Sequence, residues 1–331
     1  MKCRQGAAPH HRWLLGSVPE NHAVDLFERG RMEYGSTCWA HLLGYPTTCL
    51  SISRALKTLL GPQWGGVLEP TSLRRMSTHL EVTSHMKRSS TLRTAVVRRI
   101  RDLSPSTKGL VLEVVDGELP FSAGQWVDMH IPGIPIVGGY SITSTPAMLP
   151  LLELAVKASR HPPAAWVTGE ARVGDPVSLR VGGSFGLPTP PPPLVLFIGG
   201  GVGINPLYSM MRSIAEQKAG PGAVRAAAML YSAPTSDEIL FRQELSALAE
   251  AQPGRLHVDM CTTRDSSRRV DREAIGAAVS WLRQRGGAHG GDELATVEVY
   301  VCGPRGMAEQ MVEECVACGL PSEAVKFEKW W

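Results

Sequence analysis

The chain has 331 residues, 43% of them hydrophobic and 20% charged, with a net charge of +3. This composition suits a soluble globular protein of two domains, and the scattered Lys and Arg form no dense run of the kind that binds nucleic acid. The seven cysteines follow no regular framework, so a reducing compartment is expected. Residues 36–53 carry no acidic or basic side chain other than His41, and residues 194–211 are long and apolar. The first is broken by Thr, Ser, His and Pro, the second by Gly199, Gly200, Gly201, Gly203 and Pro206, and neither qualifies as a membrane span.

Residues 1–88 show no sustained period of 2 or 3.6. The first nineteen carry Lys2, Arg4 and Arg12 and no acid, acids vanish again between Glu33 and Glu69, and Arg74-Arg75-Met76-Ser77 follows. An Arg/Ser-rich, acid-poor stretch of this kind is expected to be an organelle leader that addresses the mature protein to mitochondria. The rival is an ordinary tail on a cytoplasmic protein, which Glu20, Asp25, Glu28 and Glu33 favour.

From residue 89 to about 188 the pattern is one of short β-rich segments cut by Gly and Pro: 94–100, 109–115, 125–131, 141–143, 152–156 and 176–181. Strands at this spacing predict a small antiparallel barrel. Four successive prolines at 190–193 read as a joint. Beyond it, in 194–331, strands at 194–198, 226–231, 256–262 and 297–302 alternate with helices at 206–217, 237–251, 271–285 and 307–318. Such alternation predicts a parallel sheet covered by helices on both faces.

Three motifs carry chemistry. In the first, the apolar strand 194–198 runs into Gly199-Gly200-Gly201-Val202-Gly203-Ile204-Asn205-Pro206, which opens a helix. Glycines let backbone approach a pyrophosphate, and a helix N-terminus offers free N–H groups and the positive end of a dipole. In the second, a strand ends Val301-Cys302-Gly303-Pro304, where a parallel sheet lines its ligand crevice, so Cys302 and Gly303 sit where a nicotinamide ring could lie. In the third, Gly139-Tyr140-Ser141-Ile142-Thr143 sets an aromatic beside a hydroxyl on a barrel strand, a pair able to stack on a flavin and reach a ring nitrogen. The ten histidines show no metal-ligand spacing, and Cys315-x-x-Cys318, on a predicted helix, has no second Cys pair to complete a zinc or redox site.

The order of these motifs, barrel first and parallel sheet second, resembles the ferredoxin–NADP reductase family from about Thr91 to Trp331. Phe121-Ser122-Ala123-Gly124-Gln125-Trp126-Val127, Val173-Gly174-Asp175 and Tyr231-Ser232 followed by Asp237-Glu238-Ile239-Leu240-Phe241 extend the likeness. The resemblance implies an antiparallel flavin-type β-barrel followed by a Rossmann-like parallel sheet with helices on both faces. It implies that Tyr140 stacks on FAD and Ser141 bonds near its N5. Gly199, Gly200, Gly201, Val202, Gly203 and Ile204 would hold the NAD(P)H pyrophosphate and ribose, and Cys302 and Gly303 the nicotinamide. Trp330, in Glu328-x-Trp330, would cover the flavin face until nicotinamide displaces it. Two positions depart from the family pattern. Gly138 stands where an arginine usually pairs with the flavin phosphates, and Pro162-Pro163-Ala164-Ala165-Trp166-Val167-Thr168 replaces a Gly-rich phosphate loop.

The expected function is an NAD(P)H-dependent flavin oxidoreductase, with Ser141 and Cys302 at the reacting atoms and a separate, unnamed electron acceptor. The rival is a flavin-free NAD(H)-binding scaffold, sensor or assembly factor, which Gly138 and the altered loop favour. NADH is expected over NADPH, because 233–238 holds Asp237 and Glu238 and no cation for a 2′-phosphate. A fluorescent reporter fused behind residues 1–90 should enter mitochondria, and a diffuse cytosolic signal from a message lacking the Met32 start would sink that address.

Overall fold

The structure is a computed structural model that describes residues 78–218, 220–286 and 297–328. The chain divides into two units, Met1–Met76 and Ser77–Trp331, and the described residues all fall in the second. The leader expected at 1–88 therefore lies outside the described residues up to position 77.

The described part starts earlier than the sequence pattern suggests. Thr78 caps a short helix, α1 (His79–Val82): its Oγ1 accepts the Glu81 N–H at 3.3 Å while Glu81 Oε2 accepts the Thr78 N–H at 2.8 Å. Residues 78–89 then pack on the outer face of the barrel around one carboxylate. Asp128, fully buried, accepts from Arg88 Nε at 2.9 Å and from Arg180 Nη2 at 2.7 Å, and its Oδ1 lies 3.0 Å from His79 Nε2. Burial alone would raise the Asp128 pKa, but the bonds from His79, Arg180 and Arg88 outweigh it and hold the group at about 2. A four-residue helix has no readable period, which is why the sequence pattern leaves this segment out.

The barrel has six antiparallel strands: β1 (Arg93–Ser104), β2 (Thr107–Val114), β3 (Trp126–Ile131), β4 (Ile134–Ser141), β5 (Leu151–Lys157) and β6 (Pro176–Gly182), in the order β4-β3-β6-β1-β2-β5. Alternation puts Ala95, Val97, Leu110, Leu112, Val127, Met129, Leu152, Leu154, Val177 and Leu179 into one core. The expected strand at 141–143 is corrected here: β4 ends at Ser141. Gly138 and Gly139, both inside β4, weaken its sequence signal. Between β5 and β6 the chain forms α2 (Pro162–Ala165) and one π turn (Trp166–Glu170).

The second sheet is wholly parallel, ordered β11-β10-β7-β8-β9. Its strands are β7 (Leu194–Gly200), β8 (Ala226–Ala233), β9 (Leu256–Thr262), β10 (Val297–Cys302) and β11 (Val325–Phe327). β7 and β8 are buried at every position, as strands covered on both faces must be. α3 (Ile204–Glu216) and α4 (Arg242–Ala251) pack on one face, and α5 (Arg272–Gly286) and α6 (Arg305–Ala317) on the other. The helix expected at 237–251 begins only at Arg242. Phe241 takes a left-handed φ of 55° and stacks on Tyr208 at 4.1 Å, and Glu238 turns away to accept from Ser104 Oγ at 3.0 Å and Ser106 Oγ at 2.6 Å. Tertiary contacts override local helix propensity there.

α3 joins the halves. Leu207, Met210, Met211 and Ile214 are buried in the core that it shares with β7 and β8. Asn205, Ser209, Arg212 and Glu216, spaced by four, three and four residues, share another face. Asn205 Nδ2 donates to Ala155 O at 2.8 Å and Ser209 Oγ to Ser144 O at 2.6 Å. Arg212 Nη1 donates to Thr143 O at 3.1 Å and to Glu153 at 2.7 Å, and Glu216 accepts from Thr145 Oγ1 at 2.9 Å. Arg212→Ala should cost about 1.5–3 kcal/mol in a urea unfolding curve, the range for bonds to a charged group. A loss under about 0.5 kcal/mol, the scale of an ordinary surface change, would show that the docking does not depend on it.

Candidate functional site

The sheet order reverses between β7 and β10, and a doubly wound sheet opens its ligand crevice beyond the strand ends at such a point. A cleft of roughly 660 Å³ lies there, walled by the 200–203 turn, by 302–305 after β10, by β4 and β5, and by α1.

On the parallel-sheet wall, β7 ends on Gly199 and Gly200, and Gly201-Val202-Gly203 makes one tight turn into α3. Gly201 has φ +54° with open space where a side chain would project. Gly203 lies against the backbone of Cys302 and Gly303, so any Cβ would strike the Cys302 carbonyl. The strand end and the helix start are thereby pressed together. Cys302 is buried at the C-terminus of β10, and Gly303-Pro304 turns the chain into α6.

On the barrel wall, Tyr140 and Ser141 end β4, and both line the cleft. The Tyr140 hydroxyl is buried with no hydrogen-bond partner among the described residues, and burial pushes its pKa above the ordinary phenol value. Asn205, 5% exposed, spends its amide N–H on Ala155 and leaves Oδ1 buried without a partner among the described residues. An unmade buried hydrogen bond costs about 1–3 kcal/mol, so two such atoms on one cleft mark where a ligand would be held.

Basic side chains line the cleft: His79, Lys157, His161 and Arg305, with no carboxylate among the described residues. The His161 pKa lies below the usual imidazole value, through burial first and the neighbouring His79 second. Sequence reasoning missed His79, Lys157, Asn205 and Arg305. Asn205 and Arg305 adjoin the motifs directly, whereas His79 had no signal at all. Of the expected site residues, Gly200, Gly201, Val202, Gly203, Tyr140, Ser141, Cys302 and Gly303 line this one cleft. Gly199 is one residue behind it, facing Ile204 and Leu207, and Ile204 is fully buried beneath the turn. Trp330 lies outside the described residues. Glu328, 3% exposed, donates its N–H to Val301 O at 3.3 Å and so lies beside the end of β10.

The phosphate-contact positions depart from the family pattern for a steric reason. A Cβ at Gly138 would lie 2.5 Å from Tyr140 Cε2 and 2.9 Å from Pro163 Cβ, so no arginine fits there in this packing. Pro162 and Pro163, the first residues of α2, carry no N–H.

The residues suit a nicotinamide nucleotide on the glycine turn. They suit a flavin ring at Tyr140 and Ser141, with different partners for its phosphates. No described helix is long and apolar enough to cross a membrane.

Residues 197–313 match the family model for the oxidoreductase NAD-binding domain. Among solved structures, a cytochrome P450 reductase of Amycolatopsis superposes with a TM-score of 0.59 at 24% identity, covering 73% of this chain and 71% of that one. The ferredoxin-NADP+ reductase of Plasmodium falciparum superposes with a TM-score of 0.56 at 15% identity, over 72% of this chain and 96% of that one. At these identities the likeness shows the fold, which is that of the ferredoxin–NADP reductases. A Danio rerio protein, oxidoreductase NAD-binding domain-containing protein 1, is 37% identical over 274 residues, 78% of this chain and 99% of its own length. The chain belongs to the family of oxidoreductase NAD-binding domain-containing protein 1.

Proposed function

We propose that this oxidoreductase takes a hydride from NADH and delivers it, through a flavin, to a separate electron acceptor. The observation that carries the reading is the shared cleft: the glycine turn and Cys302-Gly303 form one wall, Tyr140-Ser141 the other. A bound flavin would accept the hydride at N5 and release electrons onward. The chain supplies binding and orientation. Gly200, Gly201, Val202 and Gly203, with the first N–H groups of α3, would hold the pyrophosphate, and Cys302 and Gly303 the nicotinamide. Tyr140 would cover one face of the flavin ring, and the Ser141 hydroxyl, 7% exposed, would donate near N5. The rigid docking of α3 fixes the distance between the two walls, which is the protein's contribution to a transfer that needs close approach.

A second reading, a flavin-free NAD(H)-binding scaffold, is favoured by the closed position at Gly138 and the two prolines of α2. One experiment separates the two. The purified chain should show flavin absorbance that bleaches on anaerobic addition of NADH, and Gly201→Val should keep the absorbance but lose the bleaching. NADH binding by a chain that never takes up flavin would sink the reductase and leave the scaffold.

NADH is the proposed nucleotide because the turn after β8 is rich in acid. Asp237 follows Ser236, whose N–H donates to Asp265 Oδ2 at 2.6 Å. Arg268 is paired with Asp259. Arg264, whose N–H donates to Pro234 O at 2.8 Å, and Arg242, whose Nη2 donates to Ser236 O at 3.1 Å, flank the turn and are the cations a 2′-phosphate would draw on. Parallel calorimetric titrations at one ionic strength should give tighter binding of NADH. Tighter NADPH binding that disappears in Arg264→Ala would overturn the preference.

A further inference from the structure

We propose that His79, Lys157 and His161 form the phosphate-binding rim of the flavin side of the cleft, so that α1, ahead of the barrel, contributes to the site. This rests on the flavin reading given above.

Two expected sources of phosphate contact are closed. Position 138 has no room for an arginine, because its Cβ would meet Tyr140 and Pro163. The backbone of α2 offers little: Pro162 and Pro163 lack N–H groups, and the Ala165 N–H already donates to His161 O at 2.9 Å. Of those first four positions only the Ala164 N–H lacks such a partner among the described residues. A dianionic diphosphate desolvated on so few donors would be costly to hold, and side-chain cations must make up the difference.

Three basic side chains line the barrel half of the cleft. Lys157 is the last residue of β5, exposed at the rim. His161 precedes Pro162 at the N-terminus of α2. His79 reaches the same cleft from α1, its ring lying on the backbone of Gly139, where no Cβ could fit beneath it. His79 lies near enough to His161 to lower the His161 pKa, after the larger effect of burial. Arg305 stands apart at the start of α6, on the parallel-sheet wall.

His79 is held from two sides. Asp128 lies at Nε2 and Trp126 meets its ring edge-on at 4.8 Å. The charged groups around the pair are Arg88 and Arg180, on the same carboxylate, and His161 across the cleft. Asp128, itself bonded by Arg88 and Arg180, fixes the His79 ring through Nε2 against the cleft wall. Asp128 therefore positions His79, and α1 serves as a wall of the site.

The test is calorimetric titration of the full chain with riboflavin, FMN and FAD, alongside NADH. Riboflavin has the ring without phosphate, so the ratio of FMN or FAD affinity to riboflavin affinity isolates the rim. Wild-type protein should bind FMN and FAD about tenfold or more tighter than riboflavin, as one or two charge-assisted bonds imply. His79→Asn, which keeps a polar group toward Asp128, and Lys157→Gln, at an exposed position that folding does not need, should each shrink that ratio about three- to tenfold. Riboflavin and NADH affinities should stay unchanged. A ratio that persists in the His79→Asn/Lys157→Gln double variant, or that Lys157→Gln leaves at the wild-type value should the histidine variant not fold, would overturn the rim and leave flavin binding intact. Loss of NADH affinity by the same factor would reassign these side chains to the nicotinamide nucleotide. Wild-type protein that binds NADH and none of the three flavins would overturn the flavin reading and the rim with it.

Discussion

The polar face of α3 is the constraint on which the rest of the site depends. A glycine turn by itself fixes nothing about what lies opposite. Here the helix that the turn opens is bound by Asn205, Ser209 and Arg212 to the carbonyls of Ala155, Ser144 and Thr143. Ala155 lies on β5, two residues before Lys157, and Thr143 and Ser144 lie just past Tyr140 and Ser141. The same bonds that dock the two sheets therefore set the gap between the turn and the aromatic-hydroxyl pair. Burying these polar groups is tolerable because nearly all have partners, and Asn205 Oδ1 is the exception that faces the cleft.

Charge is distributed with the same economy. Asp128, fully buried, is surrounded by two arginines and a histidine outside the barrel core, and the cleft is lined by Lys157 and Arg305 with no carboxylate among the described residues. A buried carboxylate with partners on all sides does not add much stability over an apolar replacement. What it does is fix where His79 and Arg88 stand, and so where residues 78–89 run over β3, β4 and β6.

Much of this was legible in the sequence. The buried run of β7, the glycines after it and the Cys-Gly-Pro end of β10 are local patterns, and a parallel sheet turns local patterns into one crevice by topology. What the sequence hid has physical reasons. β4 carries Gly138 and Gly139 in its interior, which removes the alternation that marks a strand, and those glycines exist because Tyr140 and His79 need the space. The start of α4 moved to Arg242 because Phe241 and Glu238 are held by Tyr208 and two barrel serines far away in sequence. His79 reaches the cleft through a partner 49 residues away, a pairing no spacing rule encodes.

The seam at α3 also limits how the molecule can move. Swinging the two sheets apart would break the bonds of Asn205, Ser209, Arg212 and Glu216 together rather than in turn. At about 1 kcal/mol net for each of the five, the opened form would amount to on the order of one molecule in several thousand. Ligand traffic through such a cleft has to rely on side chains and short turns at its mouth. Residence times are then governed by local rearrangement near Lys157 and Arg305, on a faster clock than domain opening would allow.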